Sequence, residues 1–197
     1  MESKRGIVLK QGDTGHLSAI QHALDSFRLR HDGDHGLFHW ARVVENGRRL
    51  ANRLGLSSKL TDLFGILHDS KRSNEYVDRD HGKRSANFVR HLAVTGAIDL
   101  CETEIVELEF ACRFHSTGRR DGPLIAQICW DADRLDLGRV GIEPSRERLC
   151  TEAAKAPDIF DWACNRGLDR AVSNIISGEW NIRWDGRVIH SPLNPDG

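Results

Sequence analysis

Between Gly36 and Leu54 the residues Trp40, Val43, Val44, Gly47, Leu50 and Leu54 return every three or four positions, which is the period of one face of an α-helix. The same spacing recurs through most of the chain, whereas Val, Ile and Thr seldom alternate with polar residues as half-buried strands require. The periodicity therefore confines the chain to a mainly helical fold. Its 197 residues are enough for one domain, 1–197, with a sizeable core, and no stretch reads as a linker dividing it. With 39% hydrophobic and 29% charged residues the composition is that of a folded globular protein rather than a disordered one.

The pattern predicts a first helix from about Leu17 to Leu29, a second from Gly36 to Leu54 closed by Gly55, and a third from a Ser57 or Ser58 cap through Leu67. The polar run SKRSNEYVDRD reads as a loop, after which Asp80 caps a helix from His81 to about Val94. Another helix runs from about Glu104 to near His115. After the turn-rich STGRRDGP, Pro123 opens a helix through LIAQICWDADRLDL that stops at Gly138. One or two further helices follow, and WNIRWDGRVIH carries an Asp-Gly turn between short alternating segments, the signal of a β-hairpin.

Charge and cysteine usage narrow the function. Lys and Arg number 28 against 29 Asp and Glu, so the net charge of -1 creates no global field to gather nucleic acid or anionic membrane. The 5 cysteines form no CxxC pair and lie mostly among apolar residues, which points to free thiols in a reducing compartment. No apolar stretch reads as a secretory signal or a membrane span, so a cytoplasmic protein is expected.

Metal-ligating side chains recur at helix ends and faces: His39, His68, Asp69, His81, His115, and the pair Asp131 and Asp133. Imidazoles and carboxylates without thiolates suit divalent Mn, Fe, Co, Ni, Zn or Mg rather than a cysteine-bound structural zinc. A helical bundle core can bring such residues together from separate helices. Asp131 and Asp133 stand about 200° apart around a helix and flank the stripe of Ile125, Ile128 and Ala132 almost symmetrically, so periodicity does not choose between them. His16, His22, His31, His91 and His190 read as structural or exposed, and Trp40 and Trp130 as core.

Taken in order, HGLFHWARV, LHDS, DHGKRSA, FHSTGRRDG and DADRLD resemble the HD-domain superfamily of metal-dependent phosphohydrolases, over roughly residues 34–138. The resemblance implies an all-α, compact HD-type bundle with a first metal on His39, His68, Asp69 and an aspartate of DADRLD. The family's aspartate is followed by a basic residue and Leu, as in ADRL here. This favours Asp133, with Asp131 as the alternative ligand or as a group orienting an imidazole. His81 and His115 stand where the family's second ion is held, with Asp69 bridging.

The implied activity is hydrolysis of a phosphate ester or nucleotide by a metal-activated hydroxide, with a small phosphorylated metabolite or nucleotide as substrate. Lys71 and Arg72, just after the dyad, would neutralise phosphate oxygens. His35, one turn before His39, would donate a proton or touch substrate. Two alternatives share the same residues: a di-iron HD-type oxygenase, and a regulatory or binding module with a structural metal. Residues 139–197 are expected as an extension that closes over the site.

Overall fold

The computed structural model describes residues 14–184 and 189–190. The described residues form nine α-helices: α1 Thr14–Ser26, α2 Leu37–Arg53, α3 Lys59–Leu67, α4 His81–Val94, α5 Glu102–Phe114, α6 Leu124–Arg134, α7 Glu152–Lys155, α8 Pro157–Leu168 and α9 Asn174–Gly178. Two short strands, β1 Arg183–Trp184 and β2 Ile189–His190, pair antiparallel. The Asp-Gly turn expected between them lies outside the described residues. The fold is all-α, as the periodicity requires, and none of the described helices is long and apolar enough to cross a membrane.

Several boundaries shift for local reasons. The N–H of Cys101 donates to Glu104 Oε2 at 2.9 Å, so α5 is capped and begins two residues before the expected Glu104. Pro123 sits just outside α6 with extended ψ of 146°, and that helix ends at Arg134 rather than running to Gly138. A separate 3₁₀ turn, Leu137–Val140, follows it. That break re-aims every side chain from Asp136 to Arg139.

Two helix pairs organise the molecule. Short connections make α2 and α3 antiparallel, and likewise α4 and α5. The first turn of α2 therefore lies beside the end of α3, and the first turn of α4 beside the end of α5. Glycines permit each close approach. A Cβ on Gly65 of α3 would stand 2.6 Å from Val44 Cγ2 and 2.9 Å from Val44 N. A Cβ on Gly82 of α4 would stand 2.8 Å from the carbonyl oxygens of both Cys112 and Arg113.

A continuous apolar cluster runs from Ala19 in α1 through Trp40, Phe64, Leu92, Leu108 and Trp130 to Ile182. Both tryptophans are fully buried and satisfied, Trp40 Nε1 donating to His35 O at 2.8 Å and Trp130 Nε1 to Ala111 O at 2.9 Å. Ile159 and Ala163 of α8 and Ile175 and Ile176 of α9 belong to the same cluster. The described part of the segment after Gly138, residues 139–184, thus buttresses α2 and the 3₁₀ turn. This corrects the expectation that it closes over the site: a segment holding so much buried apolar surface is part of the core rather than a movable cover.

Candidate metal centre

Each helix pair delivers two histidines. His39, in the first turn of α2, meets His68, the C-cap of α3, with their Nε2 atoms 3.1 Å apart. His81, the first residue of α4, meets His115, just past α5, with Nε2 atoms 2.9 Å apart. All four are buried.

The opposite ring nitrogens explain the tautomers. The Nδ1–H of His68 donates to Phe64 O at 3.0 Å, that of His115 to Cys112 O at 2.7 Å, and that of His81 to Asp78 O. Carbonyl oxygens only accept, so Nδ1 carries the proton in each. His39 donates from Nδ1 to Asp136 Oδ2 at 2.7 Å. All four Nε2 lone pairs consequently face inward, and nitrogens so close need positive charge between them, a proton or a metal ion.

Asp69 stands between the two pairs. Its Oδ2 is 3.7 Å from His39 Nε2 and 3.6 Å from His68 Nε2, while its Oδ1 is 3.3 Å from His81 Nε2 and 3.4 Å from His115 Nε2. Oδ1 is buried and has no hydrogen-bond partner among the described residues, which is costly for a carboxylate oxygen unless a cation compensates it. Asp133, at the end of α6, brings Oδ1 to 3.5 Å from His39 Nε2 and 3.7 Å from His68 Nε2. Two atoms each bound at about 2.1 Å to one ion stand about 3.0 to 3.4 Å apart in octahedral or tetrahedral geometry. The observed separations suit such an ion with little rearrangement, and three overlapping trios from these six residues can each hold one.

The electrostatics agree. Burial, with the positive charge of Arg139 second, pushes His39 well below the ordinary imidazole range, and burial also lowers His68. Burial, then His115, takes His81 down to about 4. Neutral imidazole is the form that ligates a metal. Burial opposes the charged forms of Asp69 and Asp133 too, yet the histidines outweigh it and hold both carboxyls below their usual range, Asp69 well below. His115 is raised in spite of burial because Asp69 faces it.

The other expected site residues divide. Arg72 reaches the cluster, its Nη1 3.6 Å from Asp69 Oδ1, and is pinned by donating from Nη2 to Tyr76 O at 2.6 Å. Lys71 turns elsewhere: its Nζ sits 3.5 Å from the Phe88 ring centroid, where burial and then the Arg28 charge lower its pKa. Of the two cations expected beside the site, only Arg72 reaches the histidine cluster. His35 is not on the α2 face as expected. It precedes the helix, its ring centroid 6.4 Å from that of His39, and its Nδ1 lies 2.5 Å from Glu75 Oε2.

Asp131 points away from the histidines. It accepts from the N–H of Cys150 at 2.7 Å and from the N–H and hydroxyl of Thr151, each at 2.8 Å. It anchors the chain entering α7, and it neither ligates with the histidines nor orients one.

Sequence reasoning missed three neighbours. Asp136 holds His39 and also accepts from Arg42 Nε at 2.7 Å and Nη2 at 3.1 Å. Arg139 donates from Nε to Asp34 O at 2.8 Å and brings Nη2 to 4.0 Å from Asp133 Oδ1. The third acid of DADRLD was the available signal for Asp136; nothing in the pattern marked Arg42 or Arg139.

A helical bundle with the His68-Asp69 dyad at the meeting point of four buried imidazoles fits the HD-type architecture that the sequence resembles. No family model matches the sequence, and none of the curated proteins matches it. Among solved structures, the 1.45 Å crystal structure of a predicted HD superfamily hydrolase from an uncultured Thermotogales bacterium superposes with a TM-score of 0.57 at 27% identity, covering 78% of this chain and 86% of that one. Fold, dyad and this similarity together support the HD-domain superfamily for this chain.

Proposed function

We propose that the protein is a metal-dependent hydrolase acting on a phosphate ester, with a small phosphorylated metabolite or nucleotide as substrate. The observation that carries the reading is Asp69, whose two carboxylate oxygens face two separate pairs of buried histidines. In this reading His39, His68, Asp69 and Asp133 hold one ion, and His81, His115 and Asp69 hold a second. Ions so held supply Lewis acidity toward phosphoryl oxygens and lower the pKa of a bound water.

The chain's own groups do the rest. Arg72 and Arg139 border the cluster from two sides, each fixed by a backbone carbonyl, and present their remaining N–H groups to the oxygens of a phosphoryl group, where charge accumulates. His35, its Nδ1–H held by Glu75, takes up a proton at Nε2 from solvent and passes that proton to the leaving oxygen. Asp136 fixes the ring of His39 so that its Nε2 is offered inward.

The test is release of inorganic phosphate from a panel of phosphate monoesters and nucleotides, using metal-stripped protein restored with Mn, Co, Ni or Mg. Turnover that needs the metal and disappears in His68→Ala is the expected result. Turnover that survives in His68→Ala would remove the dyad from the chemistry. Oxygen uptake by the iron-loaded protein, with no phosphate release, would replace hydrolysis with the oxygenase reading.

A further inference from the structure

Arg72 belongs to two places at once. Its Nη1 borders Asp69, and the residue also lines a cavity of about 390 Å³ between the end of α1, the loop after the dyad and the first turn of α4. That volume lies within the range of small-ligand pockets, roughly 300–1,000 Å³. Four cationic residues line it: Arg28, Lys71, Arg72 and Arg84. The carboxylate at its rim, Asp25, already accepts from Gln21 Nε2 at 2.6 Å.

Two of the cations are accounted for by the fold. Arg84 pairs with Asp78 and donates to Lys71 O at 3.0 Å, and Arg72 donates to Asn74 O and Tyr76 O. The other two have no carboxylate partner among the described residues. Lys71 lies over Phe88, and Arg28, exposed, makes neither an ion pair nor a side-chain hydrogen bond among the described residues. Like charges held beside one cavity repel unless an anion joins them. In a chain with 28 basic and 29 acidic residues, cations left unmatched in a concavity mark the anion's place.

We propose that this cavity binds a phosphate-type dianion between Arg28 and Lys71. Because Arg72 is shared with the cluster, the dianion is a second phosphate of the same substrate, which makes the substrate a bisphosphate or diphosphate. The second step rests on the hydrolase reading. The anion site itself does not.

Calorimetric titration of the metal-stripped, full-length protein with inorganic phosphate tests the site without any turnover. One saturable site is expected, weakened at least tenfold, about 1.4 kcal/mol, by Arg28→Ala and by Lys71→Ala and retained in Lys71→Arg. Arg148→Ala, in the separate cavity of about 820 Å³, should leave binding unchanged. Absence of saturable binding, or equal binding by the Arg28 and Lys71 variants, overturns the proposal.

A second arm separates substrate from free effector. If the dianion is the substrate's second phosphate, methylenediphosphonate, whose P–C–P bridge resists hydrolysis, gains affinity when metal is restored, and Lys71→Ala removes part of that gain. If free phosphate is the natural occupant, any affinity that metal restoration adds for methylenediphosphonate is the same in Lys71→Ala, and the shared-substrate step is overturned while the anion site stands. Failure of the hydrolase reading would show separately, as absent phosphate release with phosphate binding intact.

Discussion

Replacing Asp136 with Asn tests the part of the site that depends on the 3₁₀ turn. Asp136 is fully buried and accepts three hydrogen bonds, one from His39 Nδ1 at 2.7 Å and two from Arg42 at 2.7 and 3.1 Å. Asn keeps the volume but supplies one acceptor oxygen and an NH₂ group that must face either the guanidinium or the imidazole N–H. Arg42, itself buried, loses its counter-charge. Breaking a buried ion pair from one side costs about 3–5 kcal/mol, a large fraction of a typical total stability of about 5–15 kcal/mol. Loss of the group orienting a histidine ligand lowers metal affinity by roughly 10–100-fold, or about 1.4–2.7 kcal/mol.

Two measurements on one variant separate these effects. Urea unfolding of the metal-stripped protein should lose at least about 3 kcal/mol. Cobalt titration of the folded variant, at a urea-free temperature where circular dichroism shows it native, should weaken by about ten- to a hundredfold. A variant that loses stability yet binds cobalt as tightly as wild type would refute the reasoning: Asp136 would then be only the counter-ion of Arg42.

Gly82→Ala sets a Cβ 2.8 Å from two backbone carbonyl oxygens, so α4 must retreat from α5 at a cost of about 1–3 kcal/mol; the loss should appear in urea unfolding together with weaker metal retention, because His81 moves away from His115. Wild-type stability and metal content in this variant would show that the approach of α4 to α5 does not set the pair. The metal-stripped protein should also lose stability as pH falls from about 6.5 to about 4. His81 drops to about 4 on burial, so the folded state binds its proton less readily than the unfolded state; its contribution is complete above 6.5, is lost through that window, and amounts to about 3 kcal/mol at about 1.4 kcal/mol per unit. His39 and His68, lowered likewise, act in the same direction. Urea midpoints across that range, flattened in His81→Gln, check it, and a wild-type profile already flat there would contradict it.

The helices were legible in the sequence because burial of one face leaves a period of three to four residues, as in α2 and α3. The six residues that converge were legible as a set because each lies in a short motif. What the sequence could not carry is direction. Lys71 and Arg72 are neighbours in a loop with no period, and only the packed structure turns one to Phe88 and the other to Asp69. Asp131 and Asp133 flank one stripe, and the choice between them is made by residues 150–151 arriving from later in the chain to bind Asp131. Asp136 and Arg139 stayed hidden because continuing α6 to Gly138 gives them other directions than the 3₁₀ turn does. His35 was assigned to a helix that begins two residues after it.

The most direct test is metal content per chain, by mass spectrometry on protein purified without chelator, for wild type, His81→Ala and His115→Ala. Close to two ions are expected in wild type and a fall toward one in either variant, since both histidines face the Asp69 Oδ1 side of the cluster. About one ion, unchanged in both variants, would contradict the bridging role of Asp69 and leave a single site on His39, His68, Asp69 and Asp133.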